Sequence, residues 1–438
     1  MRSYQKAADL ADGSRRVSPS GMRSPFKVLI IGFVWPEWRS SAAGFRDQNL
    51  VDLFLGQGWD LTYVSGALPN TYSQDLEKRG VQTAQFVAND PRFDAFVAEL
   101  KPDFVIFDRF VIEEQFGWRV QQFSPDSVRI LDTIDLHFLR RTRQRALEAG
   151  ASLDDLATLR FDLHSAATWR ELASILRCDM TLVISDFEAD LLNNQFRISS
   201  SLIETYRLCY PNPPPRPGFD ERRHLAWIGN FRHAPNGDAC EWMAGGLWQT
   251  VRERLPSDTE LHLYGAYPPR EVMAWNKQRS TKHERLKVMG PVEDHIGALE
   301  RYRVLFAPLR FGAGIKGKIS DAWFAGLPVV TTMMGAEGMG YCPEWGGLVG
   351  TDESELSQAV GRLYTDKDLW QACADRGKEI LEDFFSIQKN GKSLIARMQK
   401  TQIERVTMRR ENFLGEMLWH HSLASTRYFG RWLELKGR

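Results

Sequence analysis

One stretch constrains this chain more than any other: Phe306-Ala-Pro-Leu-Arg-Phe-Gly-Ala-Gly-Ile-Lys-Gly-Lys-Ile-Ser-Asp-Ala-Trp-Phe-Ala-Gly-Leu-Pro-Val-Val-Thr-Thr332. A short apolar strand ends at Pro308. A loop follows that holds Gly312, Gly314 and Gly317 together with Lys316 and Lys318. A helix then begins, with Asp321 near its start, and Gly326 and Pro328 stop it before the β-branched run Val329–Thr332. This order is a strand–loop–helix–strand unit. Its loop offers bare backbone N–H groups, two cations and a helix N-terminus at one point, a combination suited to a diphosphate. The acid inside the helix could accept hydrogen bonds from sugar hydroxyls. The plainer reading is an ordinary αβ unit with a lysine-bearing surface loop.

The same residues resemble the nucleotide-sugar-binding segment of family 4 glycosyltransferases, the retaining enzymes of the GT-B fold. Many of those enzymes carry a Glu-x7-Glu pair here, whose second glutamate binds the ribose. Asp321 falls on that second position, one methylene shorter, and Ala313 falls on the first. The chain matches a subgroup with a Gly-Ala-Gly-x-Lys-x-Lys loop. The departure at Ala313 removes the family's acidic contact to the transferred sugar and leaves the nucleotide site in place.

Alternation of apolar strands with helical patterns extends over most of the chain. Strands read at Val28–Ile31, Leu61–Ser65, Phe104–Asp108, Val128–Asp132 and Met180–Ser185, with helices that include Arg46–Leu55, Pro91–Leu100 and Ser165–Leu176. Such alternation implies a doubly wound α/β domain. The run Pro211-Asn-Pro-Pro-Pro-Arg-Pro217 reads as an extended linker. Beyond it the pattern restarts with strands Leu225–Ile228, Leu261–Tyr264, Leu286–Val288 and Val304–Ala307, and helices from about Asp238 and over Glu293–Tyr302. The expected organisation is a disordered leader over 1–24, one Rossmann-like domain over 25–210 and a second over 211–388. A helical segment over 389–438 completes it. The resemblance makes the first domain the acceptor side and the second the nucleotide-sugar side, and it sends the last helices back across the first domain.

Composition excludes several classes. Lys+Arg and Asp+Glu both total 56, so no strong attraction to nucleic acid is expected of the whole chain. No apolar run approaches the roughly 20 residues of a membrane span. Five cysteines lie far apart without a Cys-x-x-Cys pair, which fits buried thiols in a reducing compartment. Nine histidines form no zinc pattern with them. The protein is expected in the cytoplasm. The aromatic and basic tail Phe413–Leu435 reads first as docking on the chain's own first domain, and second as a peripheral contact with membrane or a partner.

Other segments join the donor loop as candidates. In Trp227–Asp238, Arg232 is placed to reach a phosphate and Asn236 to cap the next helix. Trp35–Arg46 follows the first strand, and its small residues from Ser40 to Gly44 let a ligand approach the backbone; Gly44 and Arg46 are the donor-side candidates there. Leu131–Arg141 should emerge at the C-terminal end of the sheet, where such folds bind ligands. Asp135 and His137 are therefore the candidates for contact with the transferred sugar or acceptor. Gly265 and Val292, in loops after two strands, resemble backbone contacts to the nucleotide base, and Glu337 could bind a sugar hydroxyl or close a loop. The resemblance implies transfer from a nucleoside diphosphate sugar with retention, without metal or resident cofactor. The acceptor stays open among saccharide, lipid-linked sugar and protein. Two alternatives remain: a GT-B epimerase or phosphorylase, and a non-catalytic binding or assembly subunit.

Overall fold

The computed structural model describes residues 25–38, 41–277, 284–340, 345–421 and 423–436. The expected leader, Ser40 and Cys342 lie outside these residues.

Two parallel sheets organise the molecule. The first is built from β1 (Lys27–Gly32), β2 (Asp60–Ser65), β3 (Gln82–Gln85), β4 (Phe104–Asp108), β5 (Val128–Asp132), β6 (Met180–Val183) and β7 (Ile203–Thr205). Its strand order is β3-β2-β1-β4-β5-β6-β7. The second contains β8 (Leu225–Ile228), β9 (Leu261–Tyr264), β10 (Leu286–Gly290), β11 (Val304–Ala307), β12 (Val329–Thr332) and β13 (Gly347–Gly350), in the order β10-β9-β8-β11-β12-β13. Central strands such as Phe104–Asp108 and Val304–Ala307 are buried along their whole length. That is why they read as unbroken apolar runs rather than alternating ones. Each sheet is covered by an apolar cluster on both faces. This is the two-domain, doubly wound GT-B architecture.

In both sheets the order reverses between the first strand of the domain and its neighbour, β1 beside β4 and β8 beside β11. The loops leaving those strands diverge and leave a crevice at the C-terminal edge. The two cores also meet. Ile184, Leu208 and Tyr210 of the first half pack with Ile315 and Ile319 of the second, and Ala313 packs into a first-domain cluster.

The chain passes between the halves twice, and the passages lie side by side. Tyr210 N–H donates to Phe385 O (2.7 Å) and Ile387 N–H donates to Tyr210 O (3.1 Å). After the second passage the helix Ile387–Glu411 returns to the first domain. Its Leu394, Ile395 and Met398 join the core under β1 and β4. Arg409 then ties to Asp179 (2.7 Å) and to Ser127 O (2.7 Å). The helix Phe413–His421 continues along the same domain, with Trp419 Nε1 donating to Arg177 O (2.9 Å). The C-terminal helical segment expected from the sequence is present.

Candidate functional site

The second-domain crevice is framed by the loops after β8 and β11. Loops after β8, β9 and β10 are laced by backbone bonds: Gly229 N–H to Tyr264 O (3.0 Å), Phe231 N–H to Ala266 O (3.1 Å) and Gly265 N–H to Gly290 O (2.9 Å). A Cβ on Gly265 would stand 1.9 Å from Gly229 O. Its glycine is therefore a packing requirement, and its N–H is already committed.

The loop after β11 carries the densest chemistry. Gly314 adopts φ 64°, and a Cβ there would lie 2.9 Å from Asp135 Cβ in the other domain. Only glycine satisfies both demands. Lys316 occupies the N-cap of the helix Gly317–Phe324, and no side chain caps that helix. Ile319 N–H bonds back to Lys316 O (2.7 Å), and no side chain accepts from the N–H groups of Gly317 and Lys318. Lys316 Nζ folds back to donate to Gly314 O (2.6 Å). Burial lowers its pKa, opposed by the charges of Glu337, Glu188 and Asp135. Lys318 Nζ donates to Asn236 Oδ1 (2.8 Å) and sits 4.4 Å from the centre of the Trp227 indole. Burial brings its pKa down to about 7.

A second helix N-terminus meets this one. A Cβ on Gly317 would fall 3.1 Å from the side chain of Ala42, the first residue of the helix Ala42–Gly56. Two positive helix ends, one from each domain, thus converge beside Lys316. Gly44 lies in the first turn of that helix, where a Cβ would meet the Glu37 backbone at 2.4 Å.

The opposite wall is the segment Asp132–His137 and the helix His137–Glu148. That helix has no capping side chain of its own. Two buried acids from other helices take the role. Glu188 accepts from Leu136 N–H (2.8 Å), and Glu171 accepts from His137 N–H (3.1 Å) and Phe138 N–H (2.8 Å). Burial pushes Glu171 up to about 8 and Glu188 to about 7, although the amide bonds pull the other way. Asp135 is also buried, yet Arg140, His137 and His233 more than offset that and bring it down to about 2. Asp135 is ion-paired with Arg140, and its Oδ1 is 3.3 Å from His137 Nε2. Burial, aided by Arg140, Arg109 and Arg141, drives His137 down to about 4, so its imidazole is neutral at pH 7. Its ring stands edge-on to Phe110.

The two walls are clasped by Arg143, whose side chain is excluded from solvent. It donates to Gly312 O (2.9 Å) and to both carboxylate oxygens of Glu337 (2.7 and 2.6 Å). Glu337 is thus held across the cleft by an arginine. Gly314 lies against Asp135, and Arg143 joins Gly312 and Glu337 of the second domain to the helix that begins at His137. Asp321 is held by Tyr210 Oη (2.7 Å) and by His295 Nε2 (3.3 Å). Burial lowers the pKa of His295, but the bond and charge of Asp321 outweigh it and the net shift is upward.

Other candidates are placed differently. Arg46 is fully buried, donating to Asp132 (2.7 Å) and to the Tyr206 carbonyl, so it braces the first domain and does not face the cleft. Arg232 is exposed, with its guanidinium 3.8 Å over the Tyr267 ring. Val292 is half-buried after β10. Asn236 is not a cap: the helix begins at Ala234, with proline in its first turn, and the Asn236 amide instead joins Asn230 O to Lys318. Sequence reasoning missed Arg143, Arg140, His233, Glu171 and Glu188. The two arginines carry a signal, since with His137 they sit at spacings that share one helix face. Glu171 and Glu188 carry none, because their role exists only once three helices pack. Among the described residues no three His, Cys, Asp or Glu are grouped to hold a metal.

Residues 222–366 match the model of a family described as Glycosyl transferases group 1. The Anabaena protein Alr3699/HepE, solved with UDP and glucose, is 12% identical, with a TM-score of 0.60 over 85% of this chain and 99% of that one. Sucrose-phosphate synthase from Thermosynechococcus elongatus is 14% identical, with a TM-score of 0.65 over 86% and 99%. A glycosyltransferase from Rickettsia africae is 10% identical, with a TM-score of 0.63 over 86% and 99%. No curated protein matches in sequence. The fold so defined is GT-B, and part of its second half matches the group 1 glycosyl transferase model.

Proposed function

We propose that the protein transfers a glycosyl group from a nucleoside diphosphate sugar to an acceptor hydroxyl, with retention and without a bound metal. One observation carries this reading: the uncapped helix at Gly317, the N-terminus at Ala42 and the buried Lys316 converge on one point between the domains. Such a point favours an anion that gains charge during reaction. In the reaction the bond from the anomeric carbon to the phosphate oxygen breaks, and its electron pair stays on the diphosphate. The acceptor oxygen bonds to the same carbon, and its proton passes to the departing phosphate. Lys316, Lys318 and the helix ends would stabilise that leaving group. Asp321 would receive the ribose once Tyr210 or His295 yields. His137, neutral and beside Asp135, would contact the sugar or acceptor. That Alr3699/HepE was solved with UDP makes uridine donors the first to try. Saccharide, lipid-linked and protein acceptors all belong in the panel.

The test is incubation with uridine, guanosine and thymidine diphosphate sugars, with and without acceptors and EDTA. Release of nucleoside diphosphate that requires an acceptor and persists in EDTA is the expected result. Sugar conversion without an acceptor would make the protein an epimerase. Loss in EDTA with rescue by Mg²⁺ would remove the metal-free site. A second reading has one observation in its favour. Ala313, where the resembled family has an acid, is packed into the first-domain core. Nucleotide affinity without turnover across the panel would assign the chain as a binding subunit.

A further inference from the structure

The returning helices bury one face and leave the other bare. In the helix Leu423–Leu435, Tyr428, Phe429, Trp432 and Leu435 are exposed, at 67, 59, 47 and 89%. Their spacing puts them on one stripe. The preceding helix exposes Phe413, Leu414 and Met417 in the same manner. Arg431 and Lys436 flank the stripe, both exposed, and Lys436 lies over the Trp432 ring at 4.0 Å. The nearby Glu434 is withdrawn into a pair with Arg119. Residues 389–438 hold eleven Lys and Arg against four acids, in a chain whose total charge is zero.

These helices are not a loose tail. Asn412 Nδ2 donates to Leu176 O (2.7 Å), and Gly430 faces Trp118 and Asn89. The bare stripe is thus presented by a fixed frame. No described helix is long and apolar enough to cross a membrane, so the stripe must lie on a surface. A second copy of this chain would bring its own cations against these. Aromatic side chains edged by Arg431 and Lys436, with Glu434 withdrawn and Glu416 as the exposed acid of the preceding helix, match the boundary of an anionic bilayer.

We propose that the 423–435 helix, with 413–421 beside it, docks the protein onto an anionic lipid surface. The place of docking matters for the cleft. Arg119 also donates to Asp90 O (3.3 Å), and Asp90 N–H donates to Val87 O (3.0 Å). The helix therefore finishes beside the loop after β3. From there exposed Val87, Leu68, Val34 and Phe33 follow the C-terminal ends of β3, β2 and β1 toward the crevice. A lipid surface held by the helix would run along the acceptor side of the cleft rim.

The experiment is flotation of the full chain with vesicles of phosphatidylcholine alone or mixed with phosphatidylglycerol. The expected result is binding to the mixed vesicles, weakened by salt and absent with neutral ones. Phe429→Glu with Trp432→Glu, and separately Arg431→Glu with Lys436→Glu, should each lower partitioning by at least about tenfold. Met273→Glu, an exposed residue of the second domain, should not. Thermal melts check that the variants fold. Equal partitioning of all variants, or none of the wild type, overturns the proposal. A dimer in sedimentation that Phe429→Glu with Trp432→Glu abolishes would give the stripe to a second copy instead.

Discussion

Lys318 has a pKa of about 7 because burial penalises its ammonium, which lies 4.4 Å from the centre of the Trp227 indole; Cys240 pulls slightly the other way. The free protein therefore sheds this proton as pH rises through 7, whereas a bound diphosphate needs the charge. Binding of nucleoside diphosphate at pH 8 should take up a proton. Calorimetry in buffers of different ionisation enthalpy would measure it, and Lys318→Met should abolish the uptake. A charge-assisted hydrogen bond is worth about 1.5–3 kcal/mol, so Lys316→Met or Lys318→Met should cost roughly 10- to 150-fold in turnover or affinity. Wild-type behaviour in both would remove the donor loop from the mechanism. Glu171 gives a pH signature of opposite kind. Its folded pKa is raised to about 8 from 4.5, so its stabilising contribution is complete below 4.5 and is lost as pH rises through 8. Glu171→Gln removes that loss. Melting temperatures of the two proteins compared across this range should diverge most at the alkaline end, where wild type has lost that contribution. An unchanged difference would mean that Glu171 stays ionised at the helix terminus.

Among the elements, Arg143 and Glu337 form the joint between the helix 137–148 and the loop after β12. Breaking a buried pair on one side typically costs about 3–5 kcal/mol. Arg143→Met should show that loss in urea unfolding, and adding Glu337→Met should return part of it. A loss below about 1 kcal/mol would mean that water already reaches the pair. The elements also show what could be read beforehand. Phe104–Asp108, Val128–Asp132, Leu225–Ile228, Leu261–Tyr264, Val304–Ala307 and Val329–Thr332 coincide with the expected strands; burial on both faces writes a nearly continuous apolar run in most of them, whereas Leu261–Tyr264 alternates. The outer strands Gln82–Gln85, Ile203–Thr205 and Gly347–Gly350 were not visible. They are short, and the first two are partly polar, so nothing separates them from loops. Ile184 and Ser185 looked like strand but leave the sheet, and Ser185 caps the following helix. At the site, the glycine–lysine loop was legible because its chemistry is local. The ion pair consuming Arg46, the cap provided by Glu171 and the clasp of Arg143 depend on contacts between residues far apart in sequence.

At the scale of the whole molecule, the domains touch at Arg143–Glu337, at Gly314–Asp135 and through Ile184, Leu208 and Tyr210. Under the proposed function a donor would have to enter between these walls, so turnover would require the cleft to open and close. Small-angle scattering should find Arg143→Met more extended than wild type, and nucleotide sugar should draw it back. Superimposable curves would mean that the apolar contacts alone hold the walls together. The doubled passage at Tyr210 has a consequence of another kind. If a protease severed the exposed proline stretch near Pro213, the cleaved protein would still behave as one particle. The downstream fragment would keep its last helices seated in the upstream one, and Tyr210 would stay bonded to Phe385 and Ile387. The two lobes are joined by two adjacent threads of chain, so one broken thread leaves the particle whole.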